Sequence, residues 1–462
     1  QKYWPGLADN LTGRENINLP KERNMHWLGR GLCICGIALC IASCAQDKKL
    51  PEGVRVSVLD DETPALAAEH KKLVRLPQPS INASWAQAGV NPRHIIGNLK
   101  AGFTLKEQWA ENFGAGINKR DLMLAAPVSG KNAVFVMDTH GKVSAFNLQT
   151  GKRLWENSLT ANIGGFKDTK SRASGLAFDD STLFATTGFG GVFAMNAETG
   201  APKWRKIMES PIRIAPTVTA NMLLIQTVDN RLYALDKSNG QELWRFGVAH
   251  EDTVIAGGAS PAYDAEDNVV VAGFSNGEIV VLNAAVGTPL WSQMLVSNKQ
   301  ARSTTEINTI GAYPIVEDGI IYAISNSDMT VALDMRTGDK LWEKEIGSTQ
   351  NMLLSGDYLF IISNKNILYA VEKYTGEILW SLDIREYLND EDEKAAVYAA
   401  PPLMLNGNIL LAFSNGKILK IDAANGIVSA KTELELDISN GLIAVQQKVV
   451  AVSDDADVIV FE

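Results

Sequence analysis

The sequence predicts an all-β fold: an eight-bladed β-propeller of four-stranded blades, with an N-terminal strand closing the last blade. Three observations carry this. First, a strand–turn–strand core recurs eight times: "VFVMDTHGKVSAFN", "LFATTGFGGVFAMN", "LLIQTVDNRLYALD", "VVVAGFSNGEIVVLN", "IYAISNSDMTVALD", "LFIISNKNILYAVE", "ILLAFSNGKILKID" and "VVAVSDDADVIVFE". Each is an apolar run broken by Gly, Asn, Asp or Ser, which is a hairpin pattern. Second, six cores run on into a Gly turn with Trp four residues later: Gly151/Trp155, Gly200/Trp204, Gly240/Trp244, Gly287/Trp291, Gly338/Trp342 and Gly376/Trp380. Third, the eighth core has no such strand after it, whereas "TLKEQWAENFG" places Trp109 before the first. A strand borrowed from there completes the last sheet and removes the exposed edges of an open array.

The elements follow in order. A glycine in the turn takes the left-handed backbone that a tight connection between antiparallel strands needs. The Trp then covers a large apolar area between neighbouring sheets. The seventh copy, at Gly426, has Ala430 where Trp is expected. Successive turn glycines lie between 38 residues (Gly338 to Gly376) and 51 residues (Gly287 to Gly338) apart, a period that suits four-stranded blades.

The region before the first blade divides by composition. All four cysteines, Cys33, Cys35, Cys40 and Cys44, lie in "CICGIALCIASC". From Leu32 to Ala45 there is no charge, and Arg30 precedes the run. A basic residue, a short apolar run and small residues describe a secretory signal, and the run is shorter than the roughly 20 residues of a membrane span. We therefore divide the chain into residues 1–24, an extension upstream of a start at Met25; 25–43, a signal peptide; 44–81, a charged, proline-containing tether; and 82–462, the propeller. Four thiolates in an apolar stretch lack the polar loops of a metal or disulfide cluster.

Composition narrows the function. A net charge of −10 disfavours nucleic acid as a partner. Five scattered histidines, and no cysteine after Cys44, leave no Ser/His/Asp or Cys/His set and no metal-ligand spacing, so neither catalytic residue nor cofactor is assigned. "TTGFGG" (186–191) has the look of a phosphate loop, but it falls at the mid-hairpin turn of the second copy with no helix after it. "REYLNDEDEKAA" (385–396) reads as an acidic insertion between blades, solvated or partner-contacting.

Two resemblances add to this reading. Ile41-Ala42-Ser43-Cys44 resembles the lipobox of bacterial lipoproteins, which implies cleavage before Cys44 and a lipid on its thiol. Several acyl chains make an effectively permanent anchor where one does not. Ala45, where an Asp would imply inner-membrane retention, points to the outer membrane. The Gly–Trp repeat is similar to the propeller repeat of pyrroloquinoline quinone (PQQ) enzymes. Together with eight blades, the lipobox and a short tether, it resembles the BamB family of outer-membrane lipoproteins over roughly residues 44–462; "NASWAQAGVNPRHIIGNL" (82–99) resembles related lipoproteins.

That resemblance implies a non-catalytic scaffold on the periplasmic face of the outer membrane. Its partners would be the periplasmic domains of the central β-barrel assembly protein and other assembly lipoproteins. The family's contact loops would fall near "HEDTVIAGG" (250–258) and "ARSTTEINTIG" (301–311), with Thr253, Ile255, Glu306 and Asn308 as partner-binding residues. Ile255 keeps an apolar place of the family pattern, while Thr253 and Ala256 depart from it, as do Thr309 and Gly311 where an acidic pair is expected. The rival reading is a PQQ-dependent dehydrogenase-like quinoprotein. That family uses a disulfide between adjacent cysteines over the quinone and a calcium held by Glu, Asn and Asp, and neither set is evident here.

Overall fold

In the computed structural model, the described residues are 73–102, 104–118, 125–159, 162–163, 166–167, 173–249, 259–296, 308–388 and 397–462. They form eight four-stranded antiparallel sheets, the eight blades of a β-propeller. Blade 1 runs from Val128–Gly130 to Arg153–Ser158, blade 2 from Ala173–Asp179 to Pro202–Ile207, and blade 3 from Thr217–Val218 to Glu242–Gly247. Blades 4 to 7 begin at Ala262–Asp264, Ile315–Glu317, Leu353–Ser355 and Leu403–Leu405 and end at Pro289–Met294, Lys340–Lys344, Ile378–Asp383 and Ile427–Glu433. Blade 8 takes Leu442–Val445, Lys448–Val452 and Asp457–Phe461, and its outer strand is Glu107–Asn112, which pairs antiparallel with Asp457–Phe461. The predicted borrowed strand is therefore in place. Helix is confined, among the described residues, to the turn Arg385–Leu388.

The two middle strands of each blade are the apolar cores of the repeat, and they are almost wholly buried, as in Met222–Thr227 and Ile320–Ser325. Parallel sets of buried side chains fill the seams between blades. Phe135, Leu183 and Met195 pack across blades 1 and 2, and Leu224, Val270 and Leu282 across blades 3 and 4. The eighth blade joins blades 7 and 1 through one continuous cluster that includes Leu410, Val450 and Val134. Burial on this scale, at about 25 cal/mol per Å² of apolar area, is the main force that holds the blades together.

The Gly–Trp pair locks seven of the eight seams. Each Trp lies not on its own turn but on the turn of the next blade. Trp244 donates its indole N–H to the Ala284 carbonyl at 2.8 Å, and a Cβ on Gly287 would sit 2.5 Å from its ring. The same geometry places Trp109 on Gly151, Trp155 on Gly200, Trp204 on Gly240, Trp291 on Gly338, Trp342 on Gly376 and Trp380 on Gly426. Glycine is thus required twice over, by a positive φ (71° at Gly287) and by the indole face against its Cα. A one-residue shift in pairing at each Trp strand sets the indole opposite alanine in five blades, as in Ala145↔Trp155 and Ala370↔Trp380, and opposite valine in blades 4 and 8. Blade 7 inverts the pair, with Ala430 opposite Lys420. The neighbouring blade 8 has its third and fourth strands drawn from opposite ends of the propeller, so no Gly turn lies there to receive an indole.

Residues 82–102 make one full circuit of the inner-strand ends, in blade order. Asn82 accepts from Gln446 N (blade 8), Trp85 exchanges two backbone bonds with Ser129 (blade 1), and Ala86 accepts from Phe178 N (blade 2). The Gln87 side chain bonds both N and O of Val218 (blade 3), standing in for a backbone partner. Pro92 and Arg93 accept from Tyr263 and Val316 (blades 4 and 5), Gly97 donates to Leu354 (blade 6), Leu99 bonds Met404 and Asn406 (blade 7), and Gly102 returns to Gln447 (blade 8). The segment completes hydrogen bonds that the short inner strands would leave unmade. The stretch assigned to a tether is packed from its end: Val74 is buried and donates its N–H to Ala424 of blade 7.

Candidate functional site

The two faces of the ring differ. One carries the Gly turns and the circuit of residues 82–102. The other carries the mid-hairpin turns and the loops that lead from each outer strand to the next blade. "TTGFGG" lies at such a turn in blade 2, between Thr182–Thr187 and Gly191–Asn196, with no helix following.

The predicted partner-binding residues fall in sequence within the two connections that flank blade 4. Thr253 and Ile255 belong to the loop between Glu242–Gly247 and Ala262–Asp264; Glu306 and Asn308 belong to the next, between Pro289–Met294 and Ile315–Glu317. Thr253, Ile255 and Glu306 themselves lie outside the described residues, as do Cys44, Ile41, Ala42 and Ser43. Asn308 is half-buried, and its side-chain oxygen is enclosed without a hydrogen-bond partner. Thr309, where an acidic residue is expected by resemblance, is 2% exposed. It donates its hydroxyl to the Ser275 carbonyl at 3.1 Å, so this position serves the fold. The acidic insertion begins with the helical turn Arg385–Leu388 and continues in 389–396, outside the described residues.

The roots of these two loops are held by the mid-hairpin turns. Val248 N donates to the Asn230 carbonyl, and Asn230 Nδ2 donates to the Ala249 carbonyl at 2.8 Å. Leu295 N donates to Gly277 O, Ile310 N to Phe274 O, and Asn326 N to Thr309 O. Asn230 and Ser275 carry no signal in the sequence beyond being turn residues, which is why sequence reasoning passes over them.

The opposite face has a cleft of about 750 Å³ where the circuit bows away from blades 2 to 4, lined by Gln87, Arg93, Phe178, Val218, Tyr263 and Asp264. Arg93 and Asp264 face each other at 3.7 Å. Nearby His94 is wholly buried, its ring 4.2 Å from that of Tyr313 and tilted 33° to it, with Nδ1–H donated to the Pro314 carbonyl and Nε2 without a partner. Loss of solvent lowers its pKa to about 4, against a smaller opposing effect of the Pro314 bond. A quinone with calcium does not fit these residues: no two cysteines in the chain are adjacent, and no three His, Cys, Asp or Glu among the described residues stand where they would hold a metal. Among the described residues no helix is long and apolar enough to cross a membrane.

A family model described as "Outer membrane protein assembly factor BamB" matches residues 139–382, just over half of the chain. The chain belongs to the BamB family. The matched span runs from the turn of blade 1 to the outer strand of blade 6 and so includes both loops that flank blade 4. A BamB from Yersinia pestis is 25% identical over 56% of this chain and 65% of its own length, and one from Moranella endobia is 26% identical over 51% and 60%. The chain thus spans under two thirds of the length of these BamB relatives. The crystal structure of BamB from Moraxella catarrhalis superposes with a TM-score of 0.63 at 20% identity, covering 78% of this chain and all of that one. A quinohemoprotein alcohol dehydrogenase from Pseudomonas putida superposes at 0.66 with 13% identity, covering 82% and 80%, which marks a shared fold.

Proposed function

We propose that this protein is a non-catalytic scaffold of outer-membrane β-barrel protein assembly. It is held at the periplasmic face of the outer membrane by a lipid on Cys44. It binds the periplasmic domains of the central assembly protein, alongside other assembly lipoproteins, through the loop face at blade 4. The observation that carries this reading is the BamB family match across blades 1 to 6. The loop face supports it, because rigid strands present long loops there while residues 82–102 occupy the other face.

The quinoprotein reading draws on the fold shared with the alcohol dehydrogenase. The absence of the donor set described above weighs against it.

The anchor has its own test. Cys44→Ala should leave the protein in the soluble or unprocessed fraction when envelopes are separated by flotation, whereas wild type floats with the outer membrane. Unchanged flotation of Cys44→Ala would contradict lipid anchoring through this residue.

A further inference from the structure

Mid-hairpin turns on the loop face follow a rule. In most blades, a backbone N–H of the turn takes a carbonyl of the loop that has just arrived. Thr139 N bonds Ala115 O at 3.1 Å, Val228 N bonds Pro211 O at 2.9 Å, and Asn364 N bonds Gly347 O at 2.8 Å. Ser414 N on Tyr398 O and Asp454 N on Asp437 O, both 2.9 Å, continue it in blades 7 and 8. Blade 4 departs from the rule. The corresponding donor, Ser275 N, bonds the Asn230 side-chain oxygen of blade 3 at 3.2 Å, and Ser275 Oγ donates to the same oxygen at 2.8 Å.

Asn230 thereby does the work of a loop carbonyl and more. It is 2% exposed and sits at φ 58°, a left-handed backbone that Asn tolerates. Its Nδ2 holds Ala249, at the start of the loop entering blade 4. Ser275, which it holds in turn, accepts the Thr309 hydroxyl at the end of the loop leaving blade 4, and Thr309 O accepts Asn326 N of blade 5. The side chains of Asn230, Ser275 and Thr309 thus tie one root of each loop to the same turn. Such a part-buried, satisfied network is stiff and cooperative, and losing one member disturbs the others.

We propose that Asn230, Ser275 and Thr309 are positioning residues that hold the roots of the two connections flanking blade 4, at Ala249 and Thr309, in fixed relation, so that a protein partner meets the loop face at blade 4 as one surface. This rests on the loop-face reading of the proposed function, and the experiment separates the two.

Full-length, detergent-purified wild type, Thr309→Val, Thr309→Ser and Asn230→Gly are compared by amide hydrogen exchange and by titration with the purified periplasmic domains of the organism's own central assembly protein. Glycine at 230 keeps the left-handed backbone, and valine at 309 keeps the shape while deleting the hydroxyl. Thr309→Val should speed exchange about tenfold not only at Ile310 but also at Val248, whose N–H donates to Asn230 O at the root of the connection that Thr309 does not touch. Thr309→Ser should exchange as wild type. Partner affinity should fall about tenfold in Thr309→Val and Asn230→Gly, and the double variant should be no weaker than the worse single, as expected of one coupled unit. Faster exchange confined to the mutated loop overturns the relay, as does wild-type affinity in both variants. No binding by wild type itself would instead overturn the proposed partner, with the exchange result still deciding the relay.

Discussion

Replacing Trp380 by alanine should destabilise the ring by about 4 kcal/mol, the usual cost of removing a large aromatic side chain from a packed site. Trp380 is 1% exposed, packs 5.9 Å from the Phe360 ring and donates its indole N–H to Ala423 O at 3.0 Å. Removal would empty the space between blades 6 and 7 and orphan a buried carbonyl. The urea midpoint should fall, and the fall should exceed that of Trp155→Ala, whose indole is only partly buried. The converse change, Ala430→Trp, should gain nothing. Its cross-strand neighbour is Lys420 rather than a small residue, and blade 8 offers no Gly turn to receive the ring. Equal midpoints for wild type and Trp380→Ala would show that the indoles decorate the seams without holding them.

Acid should weaken the fold through His94. Its folded pKa is about 4, against 6.5 for the ordinary side chain. Between these values the unfolded chain takes up a proton that the folded one refuses. The stability from the neutral ring is therefore complete above pH 6.5 and is lost as pH falls toward 4, about 3 kcal/mol in all. Within that window the slope approaches about 1.4 kcal/mol per pH unit. His94→Asn keeps a donor for Pro314 O and removes the titration. Its stability should change less between pH 6.5 and pH 4.5 than that of wild type. Equal slopes would show that protonated His94 is tolerated, by water or by a shift of the Tyr313 ring.

Much of this architecture is legible in the sequence, for a physical reason. A repeat that must place an indole on the next blade's turn needs glycine and tryptophan at fixed spacing, and the displaced Trp109 betrays the closing strand. The inner strands leave no such trace. Thr217–Val218 and Val128–Gly130 are too short to alternate, and on the edge away from their own blade they bond residues of the 82–102 circuit. That circuit is held by backbone bonds and by single side chains such as Gln87, so it has no hydrophobic period to read. Val74 shows the same limit: composition places it in a tether, whereas burial in the apolar cluster of blades 6 and 7 and one N–H bind it to the body. On the loop face, Thr309 looks like a variant contact residue in sequence and proves to be a buried anchor, because burial depends on a turn from the neighbouring blade.

The central claim is that this propeller works as a scaffold in outer-membrane protein assembly. The direct measurement is affinity capture of the tagged full-length protein from detergent-solubilised envelopes, with bound proteins identified by mass spectrometry. Wild type should co-recover the central barrel-assembly protein and its companion lipoproteins. Recovery of none of them, from membranes in which those components are abundant, would contradict it.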